Sequence, residues 1–208
     1  MKINFKRYLI FLIGIAILTL GVSMTVKSNI GAGAYDSINF ALASKFNVSV
    51  SITISSTALI ALIISGFIRR KLPRISTFIT SILMGVFTDI WVSVVSYINT
   101  NTIFMKIIVF LMGTLLVCFG IALYLIPKLP PNPVDGLMVT LNECLGYSVG
   151  ISKLTIDVTC IIIAFLLKGP IGIGTILLTL LVGPIVNVFY NKISKYIVFN
   201  NEIELKTI

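Results

Sequence analysis

Apolar residues fall along this chain in long blocks. Six stretches, 8–26, 50–68, 75–97, 104–126, 150–167 and 172–190, are apolar on nearly every helical face. Each is close to the roughly 20 residues that carry a helix across a bilayer. After the first and the fourth stretch comes a Gly- or Pro-rich break, GAGAYD or PPNPVD. Each break opens into a short helix, predicted over 36–46 and 135–145. At 1.5 Å per residue such a helix reaches about 17 Å, too short for a hydrocarbon core of about 30 Å. The pattern predicts six spans and two half-helices.

The two breaks are copies of one another. Gly14, Gly21 and Asp36 recur at Gly113, Gly120 and Asp135, each 99 residues on. GVSMTVKSNIGAGAYDSINFAL matches GIALYLIPKLPPNPVDGLMVTL, and ISTFITSILMGVFTDIW matches IGIGTILLTLLVGPIVNVF. In the second match Thr77, Gly85 and Asp89 pair with Thr175, Gly183 and Asn187, at an offset of 98. Residues 1–99 and 100–208 therefore read as two repeats of one membrane domain, the second ending in a short tail.

Composition agrees. The charged fraction is 11% and the hydrophobic fraction 57% of 208 residues, where a soluble domain carries about 25% charge. This excludes a cytosolic enzyme, a nucleic-acid-binding module and a secreted disulfide scaffold. The net charge of +9 bears instead on topology. If the half-helices enter and return without crossing, each repeat crosses three times and the second is inverted. With the N-terminus inside, Lys2, Lys6, Arg7, Arg69, Arg70, Lys71, Arg74, Lys128, Lys153, Lys192, Lys195 and Lys206 fall inside. Lys27, Lys45, Lys106 and Lys168 fall outside. Basic residues concentrate in cytoplasmic loops, so the expected fold is all-α and polytopic, with two inverted-topology repeats and both termini inside. The basic N-terminus and Ala32-Gly33-Ala34 resemble a signal peptide, but the apolar run exceeds the usual 7–15 residues and reads as a retained span.

Chemistry has few places to sit. There is no histidine, and no metal or cofactor is expected. Cys118, Cys144 and Cys160 lack a C-x-x-C spacing and read as small core residues. Asp36 and Asp135 stand just after the breaks. Each is either an N-cap or part of a site where freed backbone groups of Gly31, Gly33, Tyr35, Asn132 and Pro133 meet two carboxylates. Asp157 falls inside a span, where an ionised group costs about 2.5–3.5 kcal/mol on insertion scales and is a functional candidate by default. The alternative is a pair with Lys153, four residues earlier. Asp89 and Asn187 are candidates too, or interhelical hydrogen bonds. Glu143 reads as solvated. The paired glycines read as points of close helix packing, and Pro170, Gly172 and Gly174 as a tight turn.

The motifs GVSMTVKSNIGAGAYDSINFAL, PNPVDGLMVTLNECLGYSVG and GPIGIGTILLTLLVGPIVNVF give the chain a resemblance to the YczE-like branch of the YczE/YyaS/YitT group of bacterial integral membrane proteins, over 7–189. Ala34, Tyr35 and Pro131 depart from that group's usual proline, tryptophan and glycine. The resemblance implies a multi-pass protein of the bacterial plasma membrane. It implies no substrate or catalytic residue.

Inverted repeats with broken helices are a recurring plan of secondary transporters, with the site near the midplane. The leading expectation is a membrane protein, not an enzyme, that binds and moves a small solute, coupled to a proton or a cation. A homodimer suits a chain this small. One alternative is an accessory protein that scaffolds a biosynthetic or secretion assembly beside a partner membrane protein. Another is the substrate-binding subunit of a vitamin importer, although its Ala-x-x-x-Ala docking pattern is missing from 8–26. An intramembrane aspartyl protease would need a GxGD pattern, and Asp36 stands too far from Gly33 for one.

Overall fold

A computed structural model describes residues 5–70 and 75–197. Lys2, Lys71, Arg74 and Lys206 lie outside the described residues. The described chain forms eight helices: α1 (Phe5–Lys27), α2 (Ala34–Phe46), α3 (Val50–Arg69), α4 (Ile75–Val95), α5 (Ile103–Leu125), α6 (Pro133–Leu145), α7 (Val149–Leu166) and α8 (Ile173–Ile193). Among the described residues five of them, α1, α3, α4, α5 and α8, are long and apolar enough to cross a membrane. α7 has 18 residues. Large apolar side chains such as Phe67, Phe165, Ile173 and Leu180 lie exposed around the bundle. A water-facing protein would not leave so large an apolar surface bare.

The centre is the pair α1 and α5, packed together through glycines. A Cβ on Gly14 would stand 2.5 Å from the backbone nitrogen of Tyr124, and one on Gly21 2.5 Å from that of Val117. Gly120 is pressed against Leu18, and Gly113 against Gly21, Met24 and Thr25. Small residues let helix backbones approach in this way. The partner number falls on α5 as it rises on α1, so the two helices run antiparallel. The contacts are also reciprocal: Gly14 faces Tyr124 while Gly113 faces Thr25, and Gly21 faces Val117 while Gly120 faces Leu18. Phe11, Ile15, Leu18, Val22, Met84, Val117 and Tyr124 form the apolar core around this crossing. Thr19, Ser23 and Thr25 are buried there. Each returns its hydroxyl proton to a carbonyl of its own helix at 2.8 to 2.9 Å.

The other packings recur in the same sense. α4 lies on α1 as α8 lies on α5, α3 meets α6 as α7 meets α2, and α2 meets α3 as α6 meets α7. One extensive packing does not recur. α3 lies along α4, but α7 and α8 make at most a slight contact. Gly85 of α4 is held so close to α3 that a Cβ there would stand 2.7 Å from Ser51 Cα. Its counterpart on α8, Gly183, has nothing within 4 Å.

The break before α2 is joined to the turn before α8 through backbone groups. Ala32 N–H donates to Pro170 O at 3.0 Å and Gly174 N–H to Ile30 O at 3.1 Å. Gly31 takes φ of +144°, a conformation that favours glycine, with Thr175 N only 2.5 Å from where a Cβ would sit. Pro170, Gly172 and Gly174 thus do more than turn the chain: they carry this seam.

Candidate functional site

Both half-helices begin two residues before the predicted start, at Ala34 and Pro133. The aspartates are consequently not the caps. Asn132 caps α6, its Oδ1 accepting from Val134 N–H at 3.2 Å, with Pro133 next, where a missing N–H costs nothing. Gly33 is the cap residue of α2. Asp36 and Asp135 each stand in the first turn, where a negative charge favours the positive end of the helix.

The two helix starts face one cavity of about 160 Å³. Its polar wall is Asp36, Asp135, Asp157, Lys153, Asn132, Thr25 and Thr179. Its apolar wall includes Val117 and Ile121 of α5, Met138 of α6, Ile156 of α7, and Leu178 and Val182 of α8. A water takes about 30 Å³ in the liquid, so the space suits a ligand of only a few non-hydrogen atoms.

The three carboxylates are held differently. Tyr124 Oη donates to Asp135 Oδ2 at 2.6 Å, and the Tyr124 ring is fixed edge-on to Phe11, centroids 6.0 Å apart. Lys153 Nζ pairs with Asp157 Oδ2 at 2.7 Å. Asp36 accepts no hydrogen bond from any described residue. Tyr35 turns its hydroxyl away, to within 2.9 Å of Thr57 Oγ1 on α3.

Of the residues singled out in the sequence, Asp36, Asp135, Asp157, Gly33, Tyr35 and Asn132 line this cavity. Gly31 lies in the seam, and Pro133 is buried at the start of α6. Asp89 is elsewhere: its Oδ1 accepts from Val50 N–H at 2.9 Å and Ser51 N–H at 3.2 Å, capping α3 from α4. Asn187 is exposed on α8, accepting from Asn191 Nδ2 at 3.2 Å. Glu143 pairs with Arg69 at 3.0 Å while 57% exposed.

Lys153 and Tyr124 join the site without having been singled out for it, the first in the cavity wall and the second behind it, on Asp135. Lys153 was assigned to the inner boundary, yet it lines the cavity beside its partner Asp157. The four-residue spacing was the available signal. Tyr124 sits eleven residues before Asp135, and nothing in the sequence ties its hydroxyl to that carboxylate. Among the described residues no three histidine, cysteine or acidic side chains are grouped so as to hold a metal ion.

Comparison with known proteins places this geometry in a family. Residues 5–191 match the model described as a family of unknown function, DUF6198. The chain is 31% identical over 196 residues to the uncharacterized protein YyaS of Bacillus subtilis (strain 168), covering 94% of this chain and 98% of that one. It is 30% identical over 181 residues to the uncharacterized membrane protein YczE of the same organism, covering 85% and 82%. An uncharacterized protein of Haemophilus influenzae is 26% identical over 192 residues, covering 92% and 87%. No solved structure matches.

Proposed function

The chain belongs to DUF6198, a family of unknown function, and is similar to the membrane protein YczE, and on that premise we propose that it binds a small, singly charged cation and carries it across the bacterial plasma membrane. In this reading α7 is a sixth span, the halves are inverted repeats, both termini are inside, and no covalent chemistry is performed. The antiparallel, reciprocal packing of α1 on α5 supports the inversion. The Asp89 cap places the start of α3 beside α4. The Arg69–Glu143 pair places the end of α3 beside the end of α6. α6 therefore returns to the side from which its break entered, as a re-entrant half-helix does.

One observation carries the function: a single cavity receives both half-helix starts together with Asp36, Asp135, Asp157 and Lys153. Intramembrane carboxylates are costly and mark ion and substrate paths, and paired broken helices mark transporter sites. Charge accounting names the ligand class. With all three carboxylates ionised, they outnumber the one ammonium by two. Two helix N-termini, at about half a positive charge each, offset one of these. About one negative charge is left for a ligand to neutralise. The carboxylates do not converge on one point as a chelated metal requires, and the apolar wall suits carbon. A small alkylammonium fits these conditions.

The test is thermal unfolding of the purified protein with propylammonium, propanol, propionate and sodium chloride at matched ionic strength. Ligand binding to the native state raises stability as concentration passes the dissociation constant. Propylammonium is expected to give a saturable rise that Asp135→Asn and Asp157→Asn each weaken. Vesicles containing the protein are expected to take up labelled propylammonium faster than empty ones. A rise with propionate or propanol instead overturns the cation class. Binding without uptake overturns transport.

A further inference from the structure

The largest difference in packing between the two halves lies at one place, and it has the form of a gate. In the first half α3 is clamped to α4: Asp89 caps the start of α3, and Gly85 lies against Ser51. In the second half every counterpart is present and none is engaged. Asn187 stands where Asp89 does but is exposed. Gly183 and Gly150, the counterparts of Gly85 and Ser51, each have nothing within 4 Å. The start of α7 is left to cap itself, Ser148 Oγ accepting from Ile151 N–H at 3.3 Å. Its counterpart Ser49 is relieved of that task by Asp89 and lies 2.9 Å from Ser51 Oγ instead.

The open crevice borders the cavity. Lys153, Ile156 and Asp157 of α7 face Leu178, Thr179 and Val182 of α8 across it. Lys153 is one turn from Gly150, and Val182 adjoins Gly183. We infer that the protein has a second state in which the halves exchange arrangements. In that state α7 closes on α8, with Gly150 against Gly183 and Asn187 capping the start of α7, while Asp89 releases α3 from α4. Two facing glycines permit a helix approach at least as close as Ser51 on Gly85, and asparagine caps nearly as well as aspartate. Closure moves the α7 wall of the cavity toward its α8 wall, shutting the side now open, and release of α3 opens the opposite side. The exchange rests on the inverted-repeat transport reading and supplies its moving part.

The experiment is oxidative cross-linking in the full chain with Cys118, Cys144 and Cys160 replaced by alanine. Gly150→Cys with Gly183→Cys is expected to cross-link, although those positions are apart here. Asp89→Ala is expected to speed that cross-link about fivefold, the factor that one lost cap corresponds to. Asn187→Asp, at an exposed position, is expected to speed it as well. If 150–183 does not cross-link in protein that keeps the parent's unfolding temperature, or if neither Asp89→Ala nor Asn187→Asp changes the 150–183 rate, the exchange is overturned. None of these arms needs a solute. Cation uptake without the 150–183 cross-link would overturn the exchange and leave the transport reading standing. A cross-link that responds to both variants, in a chain that takes up no cation, would overturn that reading alone.

Discussion

Gly120 and Gly183 make a controlled comparison at the scale of one atom. A Cβ at Gly120 has no room beside Leu18, whereas at Gly183 it meets nothing. Overpacking a tight contact costs about 1–3 kcal/mol, and replacing glycine inside an uncrowded helix gains up to about 1 kcal/mol. Gly120→Ala is therefore expected to lower the unfolding temperature in detergent, and Gly183→Ala to leave it unchanged or raise it. Equal losses at both would contradict the α1–α5 crossing described above. Tyr124→Phe is a second residue-level test. It keeps the ring against Phe11 but deletes the donor at 2.6 Å from Asp135. A hydrogen bond to a charged group contributes about 1.5–3 kcal/mol, so stability is expected to fall by about 2 kcal/mol. A loss below about 0.5 kcal/mol would mean that Asp135 is served by other donors.

At the scale of elements, α6 is fixed to α3 by a small polar network. Arg69 Nε donates to Thr140 Oγ1 at 2.7 Å, Ser65 Oγ lies 2.6 Å from the same oxygen, and Arg69 also pairs with Glu143. Thr140 is fully buried and Glu143 is 57% exposed, and this decides which contact matters. Exposed ion pairs contribute about 0.2–1 kcal/mol, whereas stranding a buried donor costs about 1–3 kcal/mol. Thr140→Val is expected to destabilise more than Glu143→Gln when the two are unfolded side by side. The reverse order would make the ion pair the main fastening. The start of α6 was legible in the sequence as Asn132-Pro133-x-Asp135, a cap, a proline at the first helical position and an acid in the first turn. Reading the acid as the cap moved the helix start by two residues. For Asp89 an interhelical hydrogen bond was legible, but not its partners, which belong to the start of another helix 38 and 39 residues earlier. The open α7–α8 crevice was not legible either. Gly85 and Gly183 are the same letter in matched motifs, and only tertiary packing distinguishes them.

For the whole molecule, the arrangement of the proposal puts Arg70 and Lys168 on opposite sides of the membrane, with Asn101 beside Lys168. Cysteines placed singly at these positions, in a chain freed of its own, are expected to react with an impermeant maleimide from opposite faces of sealed vesicles. Labelling of Arg70→Cys and Lys168→Cys from the same face would sink the inversion. The block pattern carried the all-helical layout and the glycine pairs the α1–α5 crossing, because lipid allows few solutions to the pairing of backbone groups. Whether two breaks 99 residues apart meet at one cavity is a long-range fact, and no local pattern encodes it.

The seam between the break before α2 and the turn before α8 bears on how the protein is made. Ala32 and Ile30 find their partners in Pro170 and Gly174, which the ribosome adds on the order of ten seconds later. During that interval the first break has emerged into a membrane that offers its amide and carbonyl groups no partner. α2 therefore takes its final seat only after α7 and the first residues of α8 have been synthesised. A truncated first half is expected to be recognised as unfinished, and the translocon or a membrane chaperone is the natural shelter for its exposed backbone until the rest of the chain arrives.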